Sequence, residues 1–214
     1  MLVLHYTGMR SATDALARLC DPAAKVSAHY LIDEDGTVVA LVPDELRAWH
    51  AGVSWWRGRS GLNDVSIGIE LVNPGHEWGY RPFPAAQMAA LVELAHGLVR
   101  RWAIPAERVL GHSDIAPARK EDPGELFDWP QLARAGLCPP VPEVPPVPPD
   151  EVAAAGALAS IGYAGAPQGV PLDVALRAFQ RRWRPARCDG VLDGDTMARL
   201  LAVARLRAEP AATT

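Results

Sequence analysis

Residues 65–72, Val-Ser-Ile-Gly-Ile-Glu-Leu-Val, decide the fold. Branched aliphatic residues dominate the run. The run is strongly apolar over its whole length, so it reads as a central strand covered on both faces. Glu70 breaks the pattern. A carboxylate in such a strand costs several kcal/mol unless it is paired or lies near a metal. Either the strand opens to water at that point, or Glu70 belongs to a functional site.

Outward from this strand the chain alternates. Leu2–Thr7 is a second short apolar run, ended by Gly8, and reads as a buried strand with His5 near its C-terminal end. From its residues alone, His5 is more readily a satisfied core histidine than a ligand. Ser11–Cys20 reads as a helix capped by Ser11, with Ala15, Leu16, Leu19 and Cys20 on its apolar face. Residues 27–32 and 37–42 form a hairpin across a turn at 33–36 that ends in Asp-Gly. Trp49, His50, Ala51 and Gly52 lead into a loop holding Trp55 and Trp56. Residues 73–82 read as a further loop. Residues 84–102 form a helix whose apolar face is Met88, Leu91, Val92, Ala95, Leu98, Val99 and Trp102, and His96 on it has no assigned role. The order strand, helix, hairpin, strand, helix, loop predicts an α/β fold: a mixed central sheet packed by helices.

The stretch 109–128, VLGHSDIAPARKEDPGELFD, carries the densest chemistry. Pro117, Pro123 and Gly124 break any helix, and no apolar period runs through it, so it reads as a loop. His112, Asp114, Lys120 and Asp122 fall within eleven positions. Histidine and carboxylate are usual zinc ligands, and a catalytic zinc takes three protein ligands. The loop therefore offers two ligands and needs a third from elsewhere. A polar surface loop with incidental charges is the competing reading, because this spacing matches no standard motif.

Composition narrows the classes. The chain has 214 residues, a formal net charge of -4 and 49% hydrophobic content. That length fits one mid-sized domain and a small one. Mild acidity gives no basic stripe for nucleic acid. No apolar run reaches the ~20 residues of a membrane span. Cys20, Cys138 and Cys188 are widely spaced and odd in number, so reduced thiols are expected. No basic n-region or cleavage site marks a signal peptide. G-x-S-x-G is absent, which removes the usual serine hydrolases.

Residues 138–150, CPPVPEVPPVPPD, read as a proline-rich linker, either a semi-rigid spacer or a rigid extension packed on the first domain. Residues 151–207 read as a small helical module. Leu172, Ala175, Leu176, Phe179 and Trp183 share one helical face, and Asp195 caps a last helix that turns Met197, Leu200, Leu201 and Ala204 inward. Residues 208–214 read as a disordered tail.

Four segments, LHYT (4–7), SAHYLI (27–32), SIGIELVN (66–73) and GHSDIAPARKEDPG (111–124), together resemble the zinc-dependent N-acetylmuramoyl-L-alanine amidases of the type-two superfamily, which includes the peptidoglycan recognition proteins. HAGVSWWRG (50–58) resembles the AmiD/AmpD-like branch. AFQRRW (178–183) and DGVLDGDT (189–196) are similar to a three-helix peptidoglycan-binding domain. The resemblance spans residues 2–137 and implies a catalytic domain over 1–137.

It also implies site roles. His5, His112 and Asp122 become zinc ligands, which reverses the reading of His5 from its residues alone. Glu70 becomes the general base, and Lys120 the residue that stabilises the oxyanion. Some relatives place a tyrosine where this chain has Ala28. His50, Trp49, Trp55 and His29 become candidate substrate-contacting residues, although His29 is also read as core and His50 as a loop brace. The implied reaction cuts the amide between the lactyl group of N-acetylmuramic acid and L-alanine, and the implied protein is a monomer. A non-catalytic peptidoglycan-recognition protein of the same fold and a phage-type endolysin are the alternatives. The wall-binding module points to the cell envelope, while the missing export signal points to the cytoplasm. A module on a spacer acts as a tether, so residues 139–214 are expected to be dispensable for cleaving soluble muropeptides.

Overall fold

The computed structural model describes residues 1–208. The chain runs through β1 (Leu2–Tyr6), α1 (Ala12–Leu19), β2 (Tyr30–Ile32), β3 (Val38–Ala40), a short hairpin of β4 (Trp55–Trp56) and β5 (Arg59–Ser60), β6 (Ile67–Leu71), α2 (Gly75–Trp78), α3 (Ala85–Arg101), β7 (Val109–Gly111), α4 (His112–Ile115), α5 (Trp129–Arg134), α6 (Glu151–Ile161), α7 (Leu172–Trp183) and α8 (Gly194–Ala208). Five strands form one mixed sheet in the order β3-β2-β6-β1-β7. The run that decided the fold is its central strand. β6 lies parallel to β1 on one side and to β2 on the other, while β2 and β3 pair antiparallel.

Alternation along the strands divides the sheet into two faces. Leu2, Leu4, Ile67, Ile69, Leu71 and Val109 pack under Met88, Leu91, Ala95 and Leu98 of α3. Gln87 pins that helix: it is fully buried, and its Nε2 donates to Ile32 O and Val72 O just past β6. On the other face Val3 and Leu110 join Trp56, Leu62 and Ile115 in a core shared with Leu158, Ile161, Phe179 and Trp183 of the C-terminal helices. Truncating a buried Phe179 or Trp183 to alanine costs about 3–5 kcal/mol.

The proline-rich segment follows the second of its two readings. Val147 N–H donates to Gly194 O, the Arg199 guanidinium donates to Pro142 O, and Val141 and Val147 pack against the shared core. It therefore runs along the protein, and the C-terminal helices pack against the second face of the sheet.

Several local expectations change. The strand β2 begins later than expected, at Tyr30: Ser27 bonds to Trp49 instead, while the His29 backbone still meets Gly68 of β6 and Leu41 beyond β3. A helical turn, α2, forms inside the expected 73–82 loop, where Asn73 Oδ1 accepts Gly75 N–H. Within the expected 109–128 loop, Val109–Gly111 pairs with β1 and residues 112–115 turn helically. Trp102 lies past the end of α3, 40% exposed, with its indole donating to Asp44. Asp193, rather than Asp195, accepts Thr196 N–H at the start of α8, and Asp195 pairs with Arg184 and Arg199 instead. Ala208 ends α8, and the rest of the expected tail lies outside the described residues. Among the described residues no helix is long and apolar enough to cross a membrane.

Candidate active site

Three separate elements deliver three ligand-type atoms to one point. His5 on β1 is the register partner of Glu70 on β6, so both side chains leave the same face of the sheet. His112 opens α4, directly after β7. Asp122 returns to it because Ser113 N–H donates to Asp122 O at 2.8 Å. The next residue is held as well: Tyr80 Oη donates to Pro123 O at 2.7 Å and accepts Leu126 N–H at 2.9 Å. His5 Nδ1 lies 2.9 Å from His112 Nδ1, and each lies 3.0 Å from Asp122 Oδ2. All three residues are buried.

The hydrogen bonds behind these groups fix the ring tautomers. Ser66 Oγ donates to Leu62 O at 2.6 Å, so toward His50 Nε2, at 3.2 Å, it accepts. A neutral His50 that donates through Nε2 must accept at Nδ1. His5 Nε2, 3.0 Å from that atom, therefore donates. His5 is left with an unprotonated Nδ1 aimed at Asp122. On the other side His112 Nε2 lies 3.1 Å from Ala51 O, which only accepts; Arg119 Nη2, 3.3 Å away, spends its two protons on Ala51 O and Val53 O, so His112 Nδ1 is also unprotonated. Two imidazole lone pairs and a carboxylate oxygen meet with no proton to share. Such a donor set calls for a cation, and a ligand histidine whose second nitrogen donates to a carbonyl or a fixed acceptor is the usual support for one.

The electrostatics agree. Burial, reinforced by His112, pushes the His5 imidazole down to about 4. Burial and the neighbouring His5 hold His50 well below its usual range. Burial would raise the Asp122 carboxyl, but His112 and His5 hold it far below the usual carboxylate range. Glu70 behaves oppositely: burial, and then the Asp122 charge, push it well above its ordinary value, and Lys120 opposes them. Among the described residues Glu70 Oε2 is buried without a hydrogen-bond partner. The Lys120 side chain makes no ion pair among the described residues, and it lines a cleft of about 170 Å³ together with His5, His50, Glu70, His112, Asp122 and Trp49. The cleft thus holds a candidate metal centre, a carboxyl biased toward its protonated form and an unpaired ammonium.

The remaining sequence candidates separate. Trp49 lies at the cleft, 47% exposed. His50 lines it too, but its ring is spent on His5 and Ser66. Trp55 lines a different cavity, against Leu158 and Tyr163 of the C-terminal segment. His29 is buried, accepting Gly68 N–H at Nδ1 and reaching Leu46 O through Nε2. Sequence reading missed the Ser66–His50 support of His5. A signal existed in Gly68: a strand glycine often marks a close approach, and here a Cβ would collide with the His50 ring. Asp114, singled out in the 109–128 stretch, has partners that sequence reading did not foresee: its carboxylate is buried against Arg182 and Tyr163 of the C-terminal segment.

A family model described as N-acetylmuramoyl-L-alanine amidase matches residues 1–125. N-acetylmuramoyl-L-alanine amidase AmiD of Escherichia coli is 39% identical over 92% of this chain and 79% of its own length. 1,6-anhydro-N-acetylmuramyl-L-alanine amidase AmpD of Enterobacter cloacae is 49% identical, over 49% of this chain and 54% of its own. Among solved structures, the Escherichia coli AmiD complex with anhydro-N-acetylmuramic acid-L-Ala-D-gamma-Glu-L-Lys superposes with a TM-score of 0.87 at 37% identity, covering 96% of this chain and 88% of that one. AmpDh3 of Pseudomonas aeruginosa gives a TM-score of 0.87 at 33% identity over 98% of this chain and 92% of its own.

Proposed function

The chain belongs to the N-acetylmuramoyl-L-alanine amidase family, and on that premise we propose that it hydrolyses the amide between the lactyl group of N-acetylmuramic acid and L-alanine in muropeptides, with zinc held by His5, His112 and Asp122. The observation that carries the metal reading is the pair of unprotonated Nδ1 atoms converging on Asp122 Oδ2 within 3.0 Å. Zinc in such a site supplies Lewis-acid charge and brings the pKa of water toward about 7.

The chain's own groups account for the rest. Glu70, with a free Oε2 at the cleft, takes the proton of the attacking water and returns it to the departing nitrogen. A pKa above the ordinary carboxyl range suits a group that must both accept and release that proton near neutrality. The water oxygen bonds to the lactyl carbonyl carbon, and the C–N bond breaks. Lys120 offers its ammonium to the oxyanion of the tetrahedral carbon. The products are a lactyl acid on the sugar and a peptide with a free L-alanine amine. The AFQRRW and DGVLDGDT runs support reading residues 151–207 as a peptidoglycan-binding module, and a wall-facing location goes with it.

Mass spectrometry of a purified anhydromuropeptide, incubated with the protein with and without a chelator, tests this. Separate sugar acid and L-alanyl peptide that vanish on chelation are the expected result. No cleavage by fully zinc-loaded protein favours the non-catalytic recognition reading. His50→Ala tests the tautomer chain. It removes the acceptor that orients His5, and zinc affinity, read by competition with a chromophoric chelator, is expected to fall about 10–100-fold. An unchanged affinity removes His50 from the support of the site.

A further inference from the structure

The C-terminal helices reach the metal-ligand loop through one buried charge cluster. Asp114 is 1% exposed and lies two residues from His112. Its Oδ2 accepts Gly111 N–H at 2.8 Å and an Arg182 Nη1 proton at 3.0 Å, and its Oδ1 accepts the Tyr163 hydroxyl. Gly111 immediately precedes His112, so the backbone on both sides of that residue is tied to this carboxylate. Arg182 Nη1 also donates to Val109 O at 3.0 Å, on the strand that feeds the loop. Its guanidinium lies over the rings of Trp129 and Trp183, at 4.1 and 4.7 Å from their centroids. The preceding residue, Arg181, pairs with Glu121 at 2.7 Å, beside Asp122. Two consecutive arginines at the end of α7 thus grip the loop at 114 and at 121, next to both of its ligand-type residues.

We propose that Arg182, with Tyr163, is a positioning residue for the metal centre. The C-terminal segment completes the catalytic site by supplying the buried counter-charge that holds the turn carrying His112 and Asp122. This rests on the zinc reading above. Cohesion alone does not explain the pair, because well-packed apolar residues serve a buried interface as well as or better than a desolvated ion pair. What the pair adds is direction. A bidentate-capable, planar guanidinium packed against two indoles is restricted in orientation, and it fixes the Asp114 carboxylate that in turn fixes Gly111. The same turn passes that order to Asp122 through Ser113 N–H. The 112–122 segment otherwise has little regular structure: one four-residue helix and two tight turns.

The test is a set of variants of the full chain: Arg182→Met, Asp114→Asn, both together, Arg182→Lys and Tyr163→Phe. Zinc affinity is read by competition with a chromophoric chelator, kcat and KM on a soluble anhydromuropeptide, and thermal melting alongside. Val203→Ala serves as a control, truncating the same core away from Asp114. Arg182→Met is expected to weaken zinc binding by about 10-fold or more and to lower kcat with little change in KM. The double variant should recover part of the affinity, and Arg182→Lys should lie between Met and wild type. Val203→Ala should lose melting temperature without losing zinc. If Arg182→Met does not fold, Tyr163→Phe carries the test, because it removes only one hydroxyl and should still weaken zinc binding several-fold. Zinc affinity within two-fold of wild type in the folded Arg182 and Tyr163 variants overturns the positioning role and leaves the zinc reading standing. A wild-type protein that binds no zinc in the same titration overturns both.

Discussion

Glu70→Gln is expected to lower kcat about 10²–10⁴-fold, the usual contribution of a positioned general acid–base, while zinc content stays that of the wild type. Glutamine keeps the shape of the side chain and cannot take a proton. His5, His112 and Asp122 are untouched, because Glu70 contributes none of the three converging atoms. KM should change little, since the carboxyl acts on water and not on the bound sugar. The pH profile gives a second reading. The active form of the base is deprotonated, and burial followed by Asp122 pushes its pKa well above the usual value. Wild-type kcat/KM should therefore fall as pH is lowered through that raised pKa, and the variant should lack this limb. A variant within ten-fold of wild type, or one that keeps the acidic limb, would remove Glu70 from the chemistry and leave Lys120 and the metal to be reconsidered.

The same carboxyl should also set a stability trend in metal-free protein. Its folded pKa is raised, so the folded state holds a proton that the unfolded chain has already released. Stability then declines as pH rises from the unfolded pKa through the folded one. Metal-free Glu70→Gln is accordingly expected to melt above metal-free wild type at pH 8, with the gap closing toward pH 4. Calorimetry at the two pH values reads this directly, and equal melting temperatures at both would mean that water reaches Glu70 freely.

Much of this was legible in the order of residues, and the rest was hidden for identifiable reasons. Residues 65–72 showed a central strand because branched aliphatic residues dominate the run, and Glu70 stood out as the one charge within it. The α3 face was visible by period, apart from Trp102, which the end of the helix releases to solvent. His5 could not be told from a core histidine locally. Its role depends on atoms 45, 107 and 117 positions away in the chain, and only the family resemblance brought those positions together. Arg181 and Arg182 carried the opposite trap. From sequence the consecutive arginines of QRRW have no role of their own, yet both are buried, because an amphipathic pattern marks the apolar face of α7 without saying that Val109, Asp114 and Glu121 meet the arginines. Gln180 in the same motif serves the fold, donating to Val191 O and Thr196 Oγ1 and accepting Gly190 N–H.

A chain ended at residue 138 is expected to fail to reach a cooperative native state, against the sequence expectation that residues 139–214 are dispensable. The cut returns Trp56, Leu62, Leu110 and Ile115, each at most 3% exposed, to water. At about 1.5–3 kcal/mol for each side chain, that is about 6–12 kcal/mol, comparable to the roughly 5–15 kcal/mol by which a domain is stable. It also strips Asp114 of Arg182 and Tyr163, and breaking a buried pair by removing one partner costs about 3–5 kcal/mol more. The dependence comes from the apolar second face of the sheet, which the C-terminal helices cover. Soluble yield, near-UV circular dichroism and amide exchange of residues 1–138 against the full chain decide the matter. Poor solubility or a broad, non-cooperative melt is the expected outcome. A sharp melt with turnover of soluble muropeptide within a few-fold of the full chain would mean that the sheet can close its own face, and that the C-terminal helices serve the wall and not the site.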